Sequence, residues 1–171
     1  RIGREEAFRQ ATATAVTSGD PSRFSHQVLA DYAMAERFER EPDTVLWELH
    51  GILRGDPRRE LVFALAELSF LQGLRKEAKD RYLAALIYAY AFLFDERFGG
   101  AREPYDPRFR MVCDLYNAAL AEFLRAGDGS LVLEGGLRDL PFGRMRIDVS
   151  RPGFPWGPEM FDRFLSAKDY E

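Results

Sequence analysis

The sequence predicts a mainly α-helical domain of five or six helices around a buried central helix, followed by a small C-terminal β appendage of two or three strands. Three observations predict this. The run from Tyr82 to Phe94, YLAALIYAYAFLF, is apolar around the whole circumference of a helix, so it should be enclosed by other helices; it is well short of the ~20 residues needed to span a bilayer. Apolar residues recur at helical spacing through most of the chain up to Gly127. Beyond Gly127 the period becomes two, with Met145, Ile147 and Val149 alternating with Arg146, Asp148 and Ser150. The expected division is a helical domain over 1–127 and, over 128–171, a β appendage with a linker towards a downstream domain.

Acidic residues followed by proline punctuate the helix starts: Asp20-Pro21, Glu41-Pro42, Asp56-Pro57 and Asp106-Pro107. A carboxylate there can accept from the free amides of the first turn, and proline in that turn loses no hydrogen bond. Negative charge also suits the positive end of the helix dipole. Glu41 is the poorest cap of the four, with Asp43 as its alternative. The first helix should run from Arg4 to Thr17 and stop at Ser18-Gly19, and the second from Ser25 to Glu39. The third, Thr44 to Leu53, carries Val45, Leu46, Leu49 and Leu53 on one face and ends at Gly55. The fourth spans Arg58 to Leu71 and stops near Gly73. The fifth is the Tyr82 helix, starting near Lys76. The sixth, Arg108 to Arg125, sets Phe109, Val112, Cys113, Tyr116, Leu120 and Phe123 at helical spacing and closes at Gly127. Phe98 to Tyr105 reads as a loop.

In the appendage, Arg144 to Ser150 reads as a half-buried strand and Leu131 to Leu133 as its partner, joined through Gly135-Gly136 and Leu140-Pro141-Phe142-Gly143. A turn-rich stretch with Trp156 at its centre follows, then a further strand over Phe161 to Leu165. So few strands cannot be stable alone. They should lie on the helices or join a sheet that continues beyond Glu171.

Composition narrows the function classes. A net charge of −4 and a pI near 5.4 give no electrostatic footprint for nucleic acid. The basic residues are 21 Arg against 3 Lys, a skew that GC-rich coding explains more simply than phosphate recognition. The single cysteine, Cys113, lies on an apolar helix stripe and reads as a structural thiol. The first residue, Arg1, is not an initiator methionine, which reads as the cut end of a longer chain; no signal peptide or transmembrane run lies within the sequence.

The residues offer little for catalysis. No G-x-S-x-G elbow occurs. His26 and His50 are the two imidazoles, both expected at the surface or as caps, and Ser25 beside His26 would point away from it on a helix. Arg23 and Trp47 stand three residues before these histidines, so the Glu-x-x-His pairs of a di-iron bundle are absent, and Gly135-Gly136 is not a phosphate loop. No catalytic residue, cofactor site or metal site is therefore assigned. Glu67, in LVFALAELSFL, is either a buried carboxylate or, more simply, points outward or pairs with Arg81, Arg108 or Arg110. Tyr88 and Tyr90 either line a pocket or belong to the core, with Asp106, Asp114 or Asn117 as hydroxyl partners.

Two resemblances add to this. From Arg59 to Phe92 the chain resembles one tetratricopeptide hairpin, with Leu65, Ala66, Gly73, Ala78, Tyr82 and Ala85 at the motif's positions. It departs at Ser69, where an aromatic is usual, and at Tyr90, which replaces the closing proline. One period earlier, Asp31, Tyr32, Glu39 and Gly51 do not match, so a repeat array is not expected. Further, LVFALAELSFL with YLAALIYAYAFLFDE, then PYDPRFRMVCDLYNAALAEF, then LPFG together resemble the N-terminal region of bacterial proteins in which a helical domain precedes an α/β-hydrolase (lipase- or esterase-like) domain. The resemblance covers roughly Leu61 to Gly143. It implies a non-catalytic accessory domain whose partner is a downstream catalytic domain of the same chain, carrying the Ser, His and acid, in an exported or lipid-anchored protein. The alternative is a tetratricopeptide-like module that binds a protein partner.

Overall fold

The computed structural model describes residues 15–98 and 105–149. These form seven α-helices and one two-stranded antiparallel sheet at the C-terminal end, the mainly helical class that the sequence predicts. The helices are α1 (Ala15–Ser18), α2 (Arg23–Asp31), α3 (Ala35–Arg40), α4 (Pro42–Gly55), α5 (Arg59–Lys76), α6 (Lys79–Phe94) and α7 (Pro107–Leu124). The strands are β1 (Gly136–Leu140) and β2 (Gly143–Ile147). The expected helix upstream of Ala15, most of the Phe98–Tyr105 loop, and the Trp156 and Phe161–Leu165 stretches lie outside the described residues.

The central helix is α5, not the Tyr82 helix. Every residue from Leu61 to Gly73 is buried, including Glu67, Ser69 and Gln72, and α1, α2, α4, α6 and α7 all pack on it. Helix α6 buries Leu83, Tyr88 and Phe92 but leaves Tyr90 56% and Phe94 59% exposed, with Leu86 and Ile87 half-buried. An apolar run need not be enclosed, because exposing a ring that is also exposed in the unfolded chain costs nothing on folding. Burial follows position among neighbours, and α5 has five of them.

Helices α5 and α6 are joined by two residues and run antiparallel, with Phe63 facing Phe92 and Phe70 facing Tyr82. Gly73 does not end α5. It sits inside the helix, where a Cβ would lie 2.7 Å from two atoms of the Tyr82 ring, so glycine permits the close approach. The helix runs on to Lys76 and stops at Glu77, which takes a left-handed φ of 51°. Arg59 at the start of α5 meets Asp106 at the start of α7, so α7 runs antiparallel to α6. Asp43 of α4 pairs with Lys76 at the far end of α5 and with Arg81 of α6, tying these three helices together.

The single helix expected over Ser25–Glu39 is two. After Asp31 the Met34 amide donates to the Leu29 carbonyl and the Ala33 amide to Ala30, a Schellman closure that puts Ala33 at φ 55°. Alanine occupies a position usually marked by glycine, so no sequence signal announces the break. The turn seals Met34 against Leu29 and delivers Phe38 to the core, all three buried. Of the four acid-proline starts, one caps as expected: Asp106 accepts from the Arg108 amide at 2.9 Å. The N-cap positions elsewhere are Ser22, Glu41 and Arg58, none with a side-chain cap bond. Asp56 instead pairs with Arg58.

The partner of β2 is β1, from Gly136↔Ile147 to Leu140↔Gly143 around the two-residue loop Pro141-Phe142. Leu131, expected in that strand, makes one isolated bridge to Arg125. Strand β1 packs on α6, and the loop brings Leu140 and Phe142 against the core.

The reassignment of the centre has a direct consequence. Leu65→Ala in α5 should cost about 2–5 kcal/mol by removing a fully buried side chain. Phe94→Ala in α6 should stay within about 0.5 kcal/mol, as surface substitutions do. Urea unfolding of the two variants should show well-separated midpoints; equal losses would mean that α6 is enclosed after all.

Candidate functional site

Three polar clusters interrupt the apolar packing. The first is at the N-termini of α5 and α7. Arg59 Nε donates to Asp106 at 3.0 Å, with the two side chains 8% and 4% exposed, and its Nη1 donates to the Phe98 carbonyl. The Arg59 guanidinium lies 3.8 Å from the centre of the Phe92 ring. Asp106 also accepts from the Arg108 amide and guanidinium. Burial opposes its ionisation, but the bonds from Arg108 and Arg59 outweigh that and hold its carboxyl below the ordinary carboxylate value.

The second cluster joins α2 to the middle of α5. Glu67 is fully buried, and its Oε2 accepts from the Ser22 amide at 2.9 Å and the Ser22 hydroxyl at 2.7 Å. It neither points outward nor pairs with Arg81, Arg108 or Arg110. Arg81 and Arg108 are engaged with Asp43 and Asp106. In a capping box the N3 residue of the same helix receives the N-cap amide. Here the N3 residue is Ser25, and the carboxylate comes from another helix forty-five positions along the chain. The carboxyl group sits at the positive end of α2.

The third cluster holds the β hairpin. Tyr88 of α6 and His50 of α4 are hydrogen-bonded through the phenol oxygen and Nδ1 at 2.8 Å. Phe142, at the hairpin tip, stacks on His50 with ring centres 4.8 Å apart and planes 19° from parallel, and it meets Tyr88 at 5.0 Å. Burial, reinforced by the charge of Arg54 one turn along α4, holds the imidazole below its ordinary value of 6.5. Burial pushes the Tyr88 phenol up. His50 is therefore neither a cap nor a free surface histidine, and the hydroxyl partner of Tyr88 is this ring, not Asp106, Asp114 or Asn117. The signal in the sequence was weak, since His50, Tyr88 and Phe142 lie in three separate segments. The spacing of Leu46, His50 and Leu53 on one side of α4 was the available hint.

The other singled-out residues stay apart. Ser25 is fully buried while His26, on the adjoining position, is exposed. Tyr90 leans on Phe94 at the surface and does not join Tyr88. Cys113 is half-buried against the core, and burial raises its thiol pKa, which lowers its reactivity. Among the described residues no three or more His, Cys, Asp or Glu side chains are grouped to hold a metal ion, and no helix is long and apolar enough to cross a membrane. Comparisons with protein-family models, curated proteins and solved structures return no match.

Two stability tests follow from these clusters. Asp106→Ala should cost about 3–5 kcal/mol, because it removes the buried carboxylate that Arg59, Arg108 and the first turn of α7 share. Since the folded-state pKa of Asp106 is depressed, its contribution is present above the ordinary 3.8 and lost as pH falls through the lower folded value. The gap between wild type and Asp106→Asn in urea should thus be wide at pH 6 and narrow in strong acid; a gap independent of pH would contradict the assignment. Glu67→Ala should cost about 1–3 kcal/mol by stranding the buried Ser22 amide, and Glu67→Gln less, because the amide oxygen still accepts. Equal losses in thermal unfolding would mean that the bond to Ser22 does not matter.

Proposed function

We propose that this domain is the non-catalytic N-terminal accessory part of an α/β-hydrolase-fold serine esterase or lipase, which it braces or caps. The observation that carries this reading is how the family-like strings lie in space. LVFALAELSFL is the buried column α5, YLAALIYAYAFLFDE is α6 and the turn after it, PYDPRFRMVCDLYNAALAEF is α7 and its cap, and LPFG is the hairpin tip seated on Tyr88. Segments scattered along the sequence form one contiguous body with the hairpin fastened to it. Among the described residues the sheet has two strands, and Leu133, Leu137 and Val149 are exposed beside it. A neighbouring domain laid against it would cover those residues and pair the free edge of β2.

A second reading, a tetratricopeptide-like module binding a protein partner, draws on the close approach of Gly73 to Tyr82 and on the exposed Tyr90–Phe94 pair of α6. It has one helical hairpin, where stacked repeats need about three.

The product of the complete reading frame separates the two. A fluorophosphonate probe should label that product on a serine beyond Glu171. Residues 1–171 alone should turn over short-chain p-nitrophenyl esters at background rates, unchanged by His26→Ala or His50→Ala. Amides of Arg144 to Val149 should exchange more slowly in the longer protein. A frame that adds only helical hairpins, unlabelled by the probe, would overturn the accessory reading in favour of the second.

A further inference from the structure

We propose that the His50–Phe142–Tyr88 contact is an acid-sensitive latch for the β hairpin: the neutral imidazole holds the tip docked, and protonation releases it. This goes beyond the bracing role and does not depend on it.

Leu140 and Phe142, beside and at the tip, pack on the core, the same face of the strands is half-buried as far as Met145 and Ile147, and β1 lies against α6. The aromatic part of this docking is at the tip, and that part rests on His50. The Tyr88 side chain is buried, so its hydroxyl proton needs an acceptor nearby, and in the neutral tautomer that carries its proton on Nε2 the Nδ1 of His50 supplies one. A protonated ring carries N–H on both nitrogens. Nδ1 would then have to donate, and the phenol would have to turn its own proton into apolar surroundings.

The surroundings give a cation little in return. From its own helix, α4, the charge that acts on the ring is the like-signed Arg54. From α6 the facing group is the Tyr88 phenol, which stays neutral because burial raises its pKa. From the hairpin it is the uncharged Phe142 ring. The π face of Phe142 attracts a cation weakly and works against release. Desolvation and Arg54 act the other way, and the net direction for the imidazole is downward. The sign follows from linkage. A docked-state pKa below the ordinary 6.5 means that the released hairpin binds the proton more tightly. Docking is at full strength above 6.5 and weakens as pH falls from there through the docked value.

Hydrogen exchange on the whole chain, corrected for the intrinsic pH dependence of exchange, tests this at pH 7.5 and 5.5. Amides of Gly136–Ile147 should lose protection at the lower pH, by at most about tenfold, the ceiling set by an ordinary imidazole pKa of 6.5. Amides of Leu61–Gly73 should keep theirs. The double variant His50→Phe with Tyr88→Phe keeps a stacked ring and removes both the bond and the titration, so its hairpin protection should not change with pH. His26→Gln should retain the wild-type response. A wild-type NMR titration needs no variant: His50 should titrate below 6.5, with the Phe142 ring signals moving over the same range. Undiminished protection at pH 5.5, a response that persists in the double variant or vanishes in His26→Gln, or a loss shared equally by Leu61–Gly73 would each overturn the latch.

Discussion

The complete burial of α5 from Leu61 to Gly73 is the constraint on which the rest of the structure depends. A helix with neighbours on all sides offers its polar side chains no water, so each group without a partner there is costly. Glu67 meets that cost with one oxygen, Oε2, which takes over the N-terminus of α2, while its Oε1 and Gln72 Nε2 have no hydrogen-bond partner among the described residues. The bond satisfies the Ser22 amide and fixes where α2 crosses α5, with Phe24 set edge-on against Phe63 at 5.8 Å. A buried carboxylate is an expensive way to join two helices if judged by stability alone. It is a specific one, because a slide of one turn would strand the charge.

The same reasoning applies at the start of α5. Arg59 spends its hydrogen bonds on Asp106 and on the Phe98 carbonyl, and lays its flat guanidinium on Phe92. Three segments far apart in the chain are thus fastened at one end of the bundle. At the other end Asp43 pairs with Lys76 and Arg81, but in partly exposed positions where ion pairs contribute little. The bundle is therefore held electrostatically at one end, and elsewhere mainly by close packing such as Gly73 on Tyr82.

The hairpin is attached by different physics. Besides the packing of β1 and Leu140 on the helices, its tip is held by one aromatic side chain, stacked on a histidine that is itself bonded to a buried tyrosine. Among the described residues the sheet has two strands, and its outward face, with Leu137, stays exposed. This explains why the strands pack on the bundle without merging into its core, and why their attachment is tied to the charge of a single ring.

The helical class, the positions of α4 and α7, the change to period-two patterning after Gly127 and the capping by Asp106 were legible in the sequence, because each depends on residues within one or two turns of one another. The two helices α5 and α6 were legible too, since each carries apolar residues at helical spacing. What lay outside local pattern was decided by tertiary structure. Glu67 was expected more simply to point outward or pair with an arginine, yet it lies in the core, because five neighbours enclose α5 and Ser22 bonds its carboxyl. Tyr90 and Phe94 made α6 look enclosed, yet that face has no helix against it among the described residues. Ala33 ended a helix with no glycine to announce the turn, because burying Met34 and Phe38 offset the strain. The His50–Tyr88–Phe142 cluster joins three segments between 38 and 92 positions apart, and no local spacing encodes that meeting. Periodicity reports which face of an element is apolar; only the packed chain decides which faces are covered and which polar groups find partners there.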